Sequence, residues 1–117
     1  MAGYRHLDVS EVGDVTVVRF RDRKIVEDID IQEIGRELMD LVEVDGRQKL
    51  LLNFLAVEFL SSAALSQLIK LHKKVQAIGG TLKLSNIRPD LFEVFQMTKL
   101  VRVFDIKDEE ADALASF

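Results

Sequence analysis

The spacing of apolar residues changes several times along the chain, and each change marks a predicted element. Val15 to Phe20 (VTVVRF) is dense in β-branched residues and predicts a firm strand. Tyr4 to Ser10 predicts an edge strand before it, with Glu11-Val12-Gly13-Asp14 as the turn of a hairpin. After the charged run Arg21-Asp22-Arg23-Lys24, apolar residues recur at helical spacing (Ile31, Ile34, Leu38, Leu41, Val42), so a first helix follows and fades near Asp45-Gly46. Asp30, with Glu33 three residues on, has the form of a capping box that satisfies free backbone N–H groups at the helix start. Lys49 to Phe54 (KLLLNF) is short and nearly all apolar, as a central strand covered on both faces should be.

Farther on, Leu65, Leu68, Ile69, His72, Val75 and Ile78 trace one face of a second helix, with Gln67, Lys70, Lys73, Lys74 and Gln76 largely outside it. Gly79-Gly80 ends that helix, because glycine tolerates the left-handed backbone that commonly follows one. Thr81 to Leu84 predicts another strand. Pro89 suits the first turn of a third helix, whose apolar face is Leu91, Phe92, Val94, Phe95 and Met97. Val101 to Ile106 predicts a last strand, and Asp108 onward a last amphipathic helix with Ala111, Leu114 and Phe117 inward. The order β-β-α-β-α-β-α-β-α implies an α/β fold: a mixed sheet of about five strands with about four helices packed on it.

Composition narrows the function classes. The chain has 117 residues, enough for one domain and too few for two ordinary ones, so residues 1–117 are expected to form a single domain. Its apolar share of 48% and charged share of 31% are those of a globular protein. A net charge of −4, with both signs interspersed, gathers no basic face able to neutralise a row of phosphates, so nucleic acid is not an expected partner. Without cysteine there are no disulfides, thiolate metal sites or thiol nucleophiles. The opening MAGYRHLDVS lacks the apolar stretch of a signal peptide, and no run approaches the roughly 18 apolar residues of a membrane span. A cytoplasmic protein with no membrane contact is expected.

The chemistry-bearing residues are sparse. A nucleophile with its base, a metal cluster or a phosphate-cradling loop would announce an enzyme, and none occurs with convincing spacing. Of the two histidines, His72 lies on the apolar face of its helix, where a packed, hydrogen-bonded role is expected rather than that of a general base. Gly79-Gly80 follows a helix instead of opening one, the wrong context for a dinucleotide or phosphate loop. Glu27, Asp28, Asp30 and Glu33 match no calcium loop, and helix starts favour acidic residues in any case, so no metal is expected. The RDRK run is open to two readings, a solvated connection or a docking loop. Two readings are also open for Ser61-Ser62, between a strand-like and a helix-like run. Serine is a preferred helix N-cap, and a serine at a helix start is also a place where a phosphate meets free N–H groups and the positive end of the helix dipole.

The joined motifs resemble the STAS domain, the family named for sulphate transporters and anti-sigma-factor antagonists. Its pattern of a strand, an apolar residue, an Asp-Ser-Ser-Gly-Leu type sequence opening a helix, a Gly-Gly after that helix and a later Pro-led helix has counterparts here. These are LLLNF, Phe59-Leu60, Ser61-Ser62-Ala63-Ala64-Leu65, Ile78-Gly79-Gly80 and Pro89 to Thr98, within residues 12–106. Where the family has Asp this chain has Ser61, the family's Ser-Gly is Ala63-Ala64, and the loop after the second strand is Arg21-Asp22-Arg23-Lys24-Ile25.

The resemblance implies a STAS-like fold and a bacterial anti-sigma-factor antagonist. In that family the unphosphorylated antagonist binds an anti-sigma factor that is also a serine kinase, freeing the sigma factor, and a metal-dependent serine phosphatase reverses the modification. The match places the phosphoacceptor at Ser62, with Ser61 as runner-up. It implies a partner-binding surface of Arg23, Lys24, Ile25, Glu58, Phe59, Leu60, Ser61, Ser62, Ala63, Leu65 and Ser66, with no cofactor. A STAS scaffold or transporter-associated component that binds an ATPase without a phosphorylation switch is the alternative, and a small serine hydrolase a more distant one.

Overall fold

A computed structural model describes residues 4–117. Met1 to Gly3, the start of the segment predicted to carry no leader, lie outside the described residues. The elements run β1 (Leu7–Val12), β2 (Val15–Phe20), β3 (Lys24–Ile25), α1 (Asp28–Glu43), β4 (Lys49–Asn53), β5 (Phe59–Leu60) and α2 (Ser62–Ala77). They continue with β6 (Thr81–Ser85), α3 (Pro89–Met97), a 3-10 turn (Leu100–Arg102), β7 (Asp105–Lys107) and α4 (Glu110–Ala115). The main sheet has the order β1-β2-β4-β6-β7; β1 and β2 are antiparallel, and every later neighbour is parallel. Parallel neighbours need crossovers, and α1, α2 and α3 supply them.

The pleat decides what each strand residue covers. Leu50 and Leu52 of β4 point into the large core with Val18, Phe20, Leu82 and Leu84, where α1, α2 and α3 bring Ile34, Leu38, Leu68, Leu71 and Phe95. Leu51 points the other way, into a smaller cluster with Val15, Val17 and Ala113, flanked by Leu114 and Phe117. The central strand is therefore apolar at consecutive positions because both of its faces are covered. Polar contacts hold α4 in place: Glu110 accepts two hydrogen bonds from Arg19, at 2.9 and 2.8 Å, and one from Asn53 Nδ2 at 2.9 Å. The Lys83 ammonium pairs with Asp105 and lies 5.3 Å from the centre of the Phe117 ring. Among the described residues, no helix is long and apolar enough to cross a membrane.

Several boundaries differ from the sequence expectation. The hairpin turn is only Gly13-Asp14, since Val12 already pairs with Val15, and Gly13 supplies the positive φ of 61° that such a tight loop requires. The first strand begins at Leu7 rather than Tyr4. The amides of Arg5 and His6 donate to the Glu37 carboxylate, at 3.2 and 3.1 Å, and so draw that segment toward α1. Helix α1 starts at Asp28, with Glu27 as N-cap and no side-chain capping bond, so Asp30 and Glu33 form no capping box. Val101 to Ile106 is not one strand. Lys99 takes a left-handed φ of 62°, the chain tightens into i→i+3 hydrogen bonds, and only Asp105–Lys107 pairs with β6. Leu100 and Phe104 are buried there, while Val101 and Val103 are exposed. Met97, Ile78 and Ala111, expected to face inward, are exposed.

Candidate functional site

The two serines at the start of α2 occupy different environments because the helix phase separates them. Ser61 is the N-cap: its backbone is extended (φ −83°, ψ 168°) and its Oγ accepts the Ala64 N–H at 3.2 Å. Ser62 is the first helical residue and is exposed. Ala64 and Leu65 are buried and fix the roll of the helix, which leaves Ser62, Ala63 and Ser66 on the outer face. The Ser66 hydroxyl donates to the Ser62 carbonyl at 3.2 Å. The first turn of α2 contains no acidic residue, so the positive end of its dipole is uncompensated from within the turn.

A second, two-stranded sheet sets this helix start against the RDRK run, and the sequence pattern did not predict it. Strands β3 and β5 pair in parallel, Lys24 opposite Phe59 and Ile25 opposite Leu60. The Arg23 carbonyl accepts the N–H groups of Glu58 and Phe59 at 2.7 and 3.1 Å, and the Ile25 carbonyl accepts that of Ser61 at 3.1 Å. The same strap is tied by side chains. The Arg23 guanidinium donates to both Glu58 oxygens at 3.0 and 3.1 Å, and Arg88, just before α3, stands 3.9 Å from the same carboxylate. The bond from Arg23 is the main reason the Glu58 carboxyl is held below its usual range. Lys24 Nζ lies 5.5 Å from the centre of the Phe59 ring, which is half exposed.

The predicted surface residues therefore converge, with a division of labour. Arg23, Lys24, Phe59, Ser62, Ala63 and Ser66 face solvent, and Glu58, Leu60 and Ser61 are partly covered. Ile25 and Leu65 are buried, so their part is to hold the strap and the helix in place. Arg88 and the exposed apolar residues Val26, Ile29 and Leu55 flank these elements and were not picked out from the sequence. The sequence signal for this patch is Ile29, an apolar residue off the helical phase set by Ile31, Ile34 and Leu38. The apolar space beneath, between α1, α2 and the strap, measures about 10 Å³ and is lined by Phe20, Ile25, Ile34, Phe54 and Leu60 among others. That is room for one water at most.

The histidines do not equip the serines for nucleophilic chemistry. His72, ten positions along α2, stands about 15 Å from Ser62 by helix rise. It packs edge-on against Phe104 with ring centres 5.3 Å apart, and burial pushes its pKa down. The expected hydrogen bonding is not met at Nδ1, which is buried without a partner among the described residues. Both ring nitrogens of His6 are engaged by carboxylates.

Comparison with known proteins agrees with this geometry. The STAS domain family profile matches residues 6–113. A relative named as an anti-sigma factor antagonist, BtrV of Bordetella bronchiseptica, is 24% identical over 93 residues, covering 80% of this chain and 79% of its own. A Thermotoga maritima protein named as an anti-sigma factor antagonist has the same fold, with a TM-score of 0.84 at 21% identity over 94% of this chain and 92% of its own. The Bacillus cell fate determinant SpoIIAA in its phosphorylated form superposes with a TM-score of 0.71 at 17% identity over 94% and 97%. With the family profile running from the residue before β1 into α4, this chain belongs to the STAS domain family.

Proposed function

We propose that this STAS domain, spanning residues 1–117, is an anti-sigma-factor antagonist switched by phosphorylation of Ser62. The observation that carries the reading is the separation of roles at the helix start: Ser61 caps α2, so Ser62 is exposed at the first helical position without structural duty as a cap. A kinase that is itself the anti-sigma factor transfers the γ-phosphoryl group of ATP to Ser62 Oγ, with loss of the hydroxyl proton and release of ADP. A metal-dependent phosphatase hydrolyses the ester. The protein acts as a binding module rather than an enzyme, and the exchange takes place in the cytoplasm.

The physics of the switch follows from where the charge arrives. A phosphoserine adds about −1.5 to −2 charges beside free N–H groups and the positive end of the α2 dipole, so the helix tolerates it. The surface around it changes more. In the unmodified state a partner meets half-exposed Phe59, the Ser62-Ala63-Ser66 face and the cations Arg23, Lys24 and Arg88. After modification the same face carries a phosphate that the partner must strip of water on docking, a desolvation that costs on the order of several kcal/mol of affinity. The anti-sigma factor is then released to hold its sigma factor.

Incubation of the purified chain with ATP and the anti-sigma kinase of the same genome tests this. One phosphate on Ser62 by intact-mass and peptide analysis, absent in Ser62→Ala, is expected. Modification at another residue removes the site assignment, and stable binding to an ATPase with no modification at all favours the scaffold reading without a switch.

A further inference from the structure

His6, immediately before β1, is 4% exposed, and its two ring nitrogens reach two different carboxylates. Nδ1 lies 2.7 Å from Asp22 Oδ2, and Nε2 lies 2.7 Å from Glu33 Oε1. Asp30 Oδ1 stands 4.0 Å from Nε2. An ionised carboxylate only accepts hydrogen bonds, and a neutral imidazole carries a single N–H, so it can satisfy one of these two contacts and not both. The arrangement is that of an imidazolium donating at both ends.

The surroundings agree with that state. Burial alone pulls the ring toward neutrality, but the hydrogen bonds to Glu33 and Asp22 and the negative field of Asp22 and Glu37 outweigh it, and the pKa ends above its usual value. The charged groups that face the ring come from three segments. Helix α1 presents Asp30, Glu33 and Glu37, and the charge of the exposed Arg36 on the same helix acts on Glu33. The connection after β2 presents Asp22, and its Arg21 amide donates to the His6 carbonyl at 2.9 Å. The segment before β1 presents Arg5, 3.7 Å from Glu33 Oε2.

The ring thus ties α1 to the root of the strap, because Asp22 adjoins Arg23, whose carbonyl and guanidinium hold β5. We propose that His6 is a proton-operated latch: as an imidazolium it pins the 21–25 connection to α1, and on losing a proton it releases Asp22 and loosens the pairing of β3 with β5. The two carboxylates are unequally placed once one N–H is gone. Glu33 sits on a helix and keeps Arg5 nearby, whereas Asp22 sits on a connection and can turn to water. The consequence for partner docking rests on the proposed role of this surface; the latch itself does not.

Nuclear magnetic resonance on the full chain separates the two. With a chelator present, pH is raised through and above the ordinary histidine value of about 6.5 while the His6 ring and the backbone amides are followed. The His6 midpoint is expected above that value, with the amides of Arg23, Lys24, Phe59 and Leu60 moving at the same midpoint. In Asp22→Asn the midpoint falls toward the ordinary value and the amide movement at β5 is lost. Amides at β5 that stay still through the His6 midpoint overturn the latch, as does the same movement persisting in Asp22→Asn. Partner affinity measured across the same range is expected to drop at that midpoint. If the amides move and the affinity does not, the latch stands and the assignment of this surface to docking falls.

Discussion

Ser61 and Ser62 are identical in chemistry and adjacent in sequence, yet one step of helix phase makes the first a cap and leaves the second exposed. Ser61→Ala removes the acceptor for the Ala64 N–H and is expected to cost about 1 kcal/mol, lowering the melting temperature by about 4 °C. Ser61→Asp keeps an acceptor there and should stay close to wild type. Ser62→Asp adds a negative charge at a favourable end of the dipole, so its stability is expected within about 0.5 kcal/mol of wild type while affinity for the proposed anti-sigma partner falls. A calorimetric scan beside a binding titration checks both; a large melting loss in Ser62→Asp would mean unfolding rather than surface chemistry. The cap was legible in the sequence because serine before an apolar periodic run is a local signal. The capping box expected at Asp30 and Glu33 is absent for the opposite reason: the helix already begins at Asp28, and Glu33 is bonded to His6, a partner 27 positions away that no local pattern records.

At the scale of elements, the long helices and the central strands followed from periodicity, since α1 buries each of the five residues its spacing marked: Ile31, Ile34, Leu38, Leu41 and Val42. The strap did not. Two-residue strands such as β3 and β5 are too short for alternation to register, and their pairing depends on a contact between segments 35 positions apart. The stretch Val101 to Ile106 alternates like a strand, but a left-handed Lys99 turns it into a 3-10 coil before β7 begins.

Close approaches between elements give a paired test at two glycines. A Cβ at Gly80 would strike the Gln48 carbonyl, a backbone atom in the strand lead that also accepts the Thr81 N–H at 2.7 Å. Gly80→Ala is therefore expected to cost about 1–3 kcal/mol in denaturant unfolding. A Cβ at Gly35, within α1, would meet only the end of the Gln67 side chain, which can swing aside. Gly35→Ala is expected to be neutral, or stabilising by up to about 1 kcal/mol, because alanine is the better helix former. Equal losses at the two positions would show that Gln67 is held rigidly between α1 and α2.

For the molecule as a whole, the two histidines act on stability in opposite directions. The folded pKa of His6 is raised, so its contribution is fully present below the unfolded value of about 6.5 and is lost as pH rises through the folded value. The folded pKa of His72 is lowered by burial, so folding is opposed as pH falls below about 6.5, where the unfolded chain takes up a proton that the folded one refuses. Thermal stability is therefore expected to peak near that value. His6→Gln should flatten the alkaline side of the peak, and His72→Leu the mildly acidic side above the carboxylate range. Melting temperatures across pH for the three proteins measure this; a wild-type profile unchanged in either variant would remove that histidine from the account.

The order of the main sheet also bears on how the chain comes to be folded. After the opening hairpin, each new strand lies beside the main-sheet strand made just before it: β4 against β2, β6 against β4 and β7 against β6. No strand waits for a later one to fill a gap between two that are already paired. During synthesis the sheet can thus lengthen by accretion at one moving edge, each addition closing a loop no longer than a single crossover. Short closures favour fast folding, and in a nascent chain of this design only one edge moves, while the outer edge of β1 stays unpaired from the first hairpin onward.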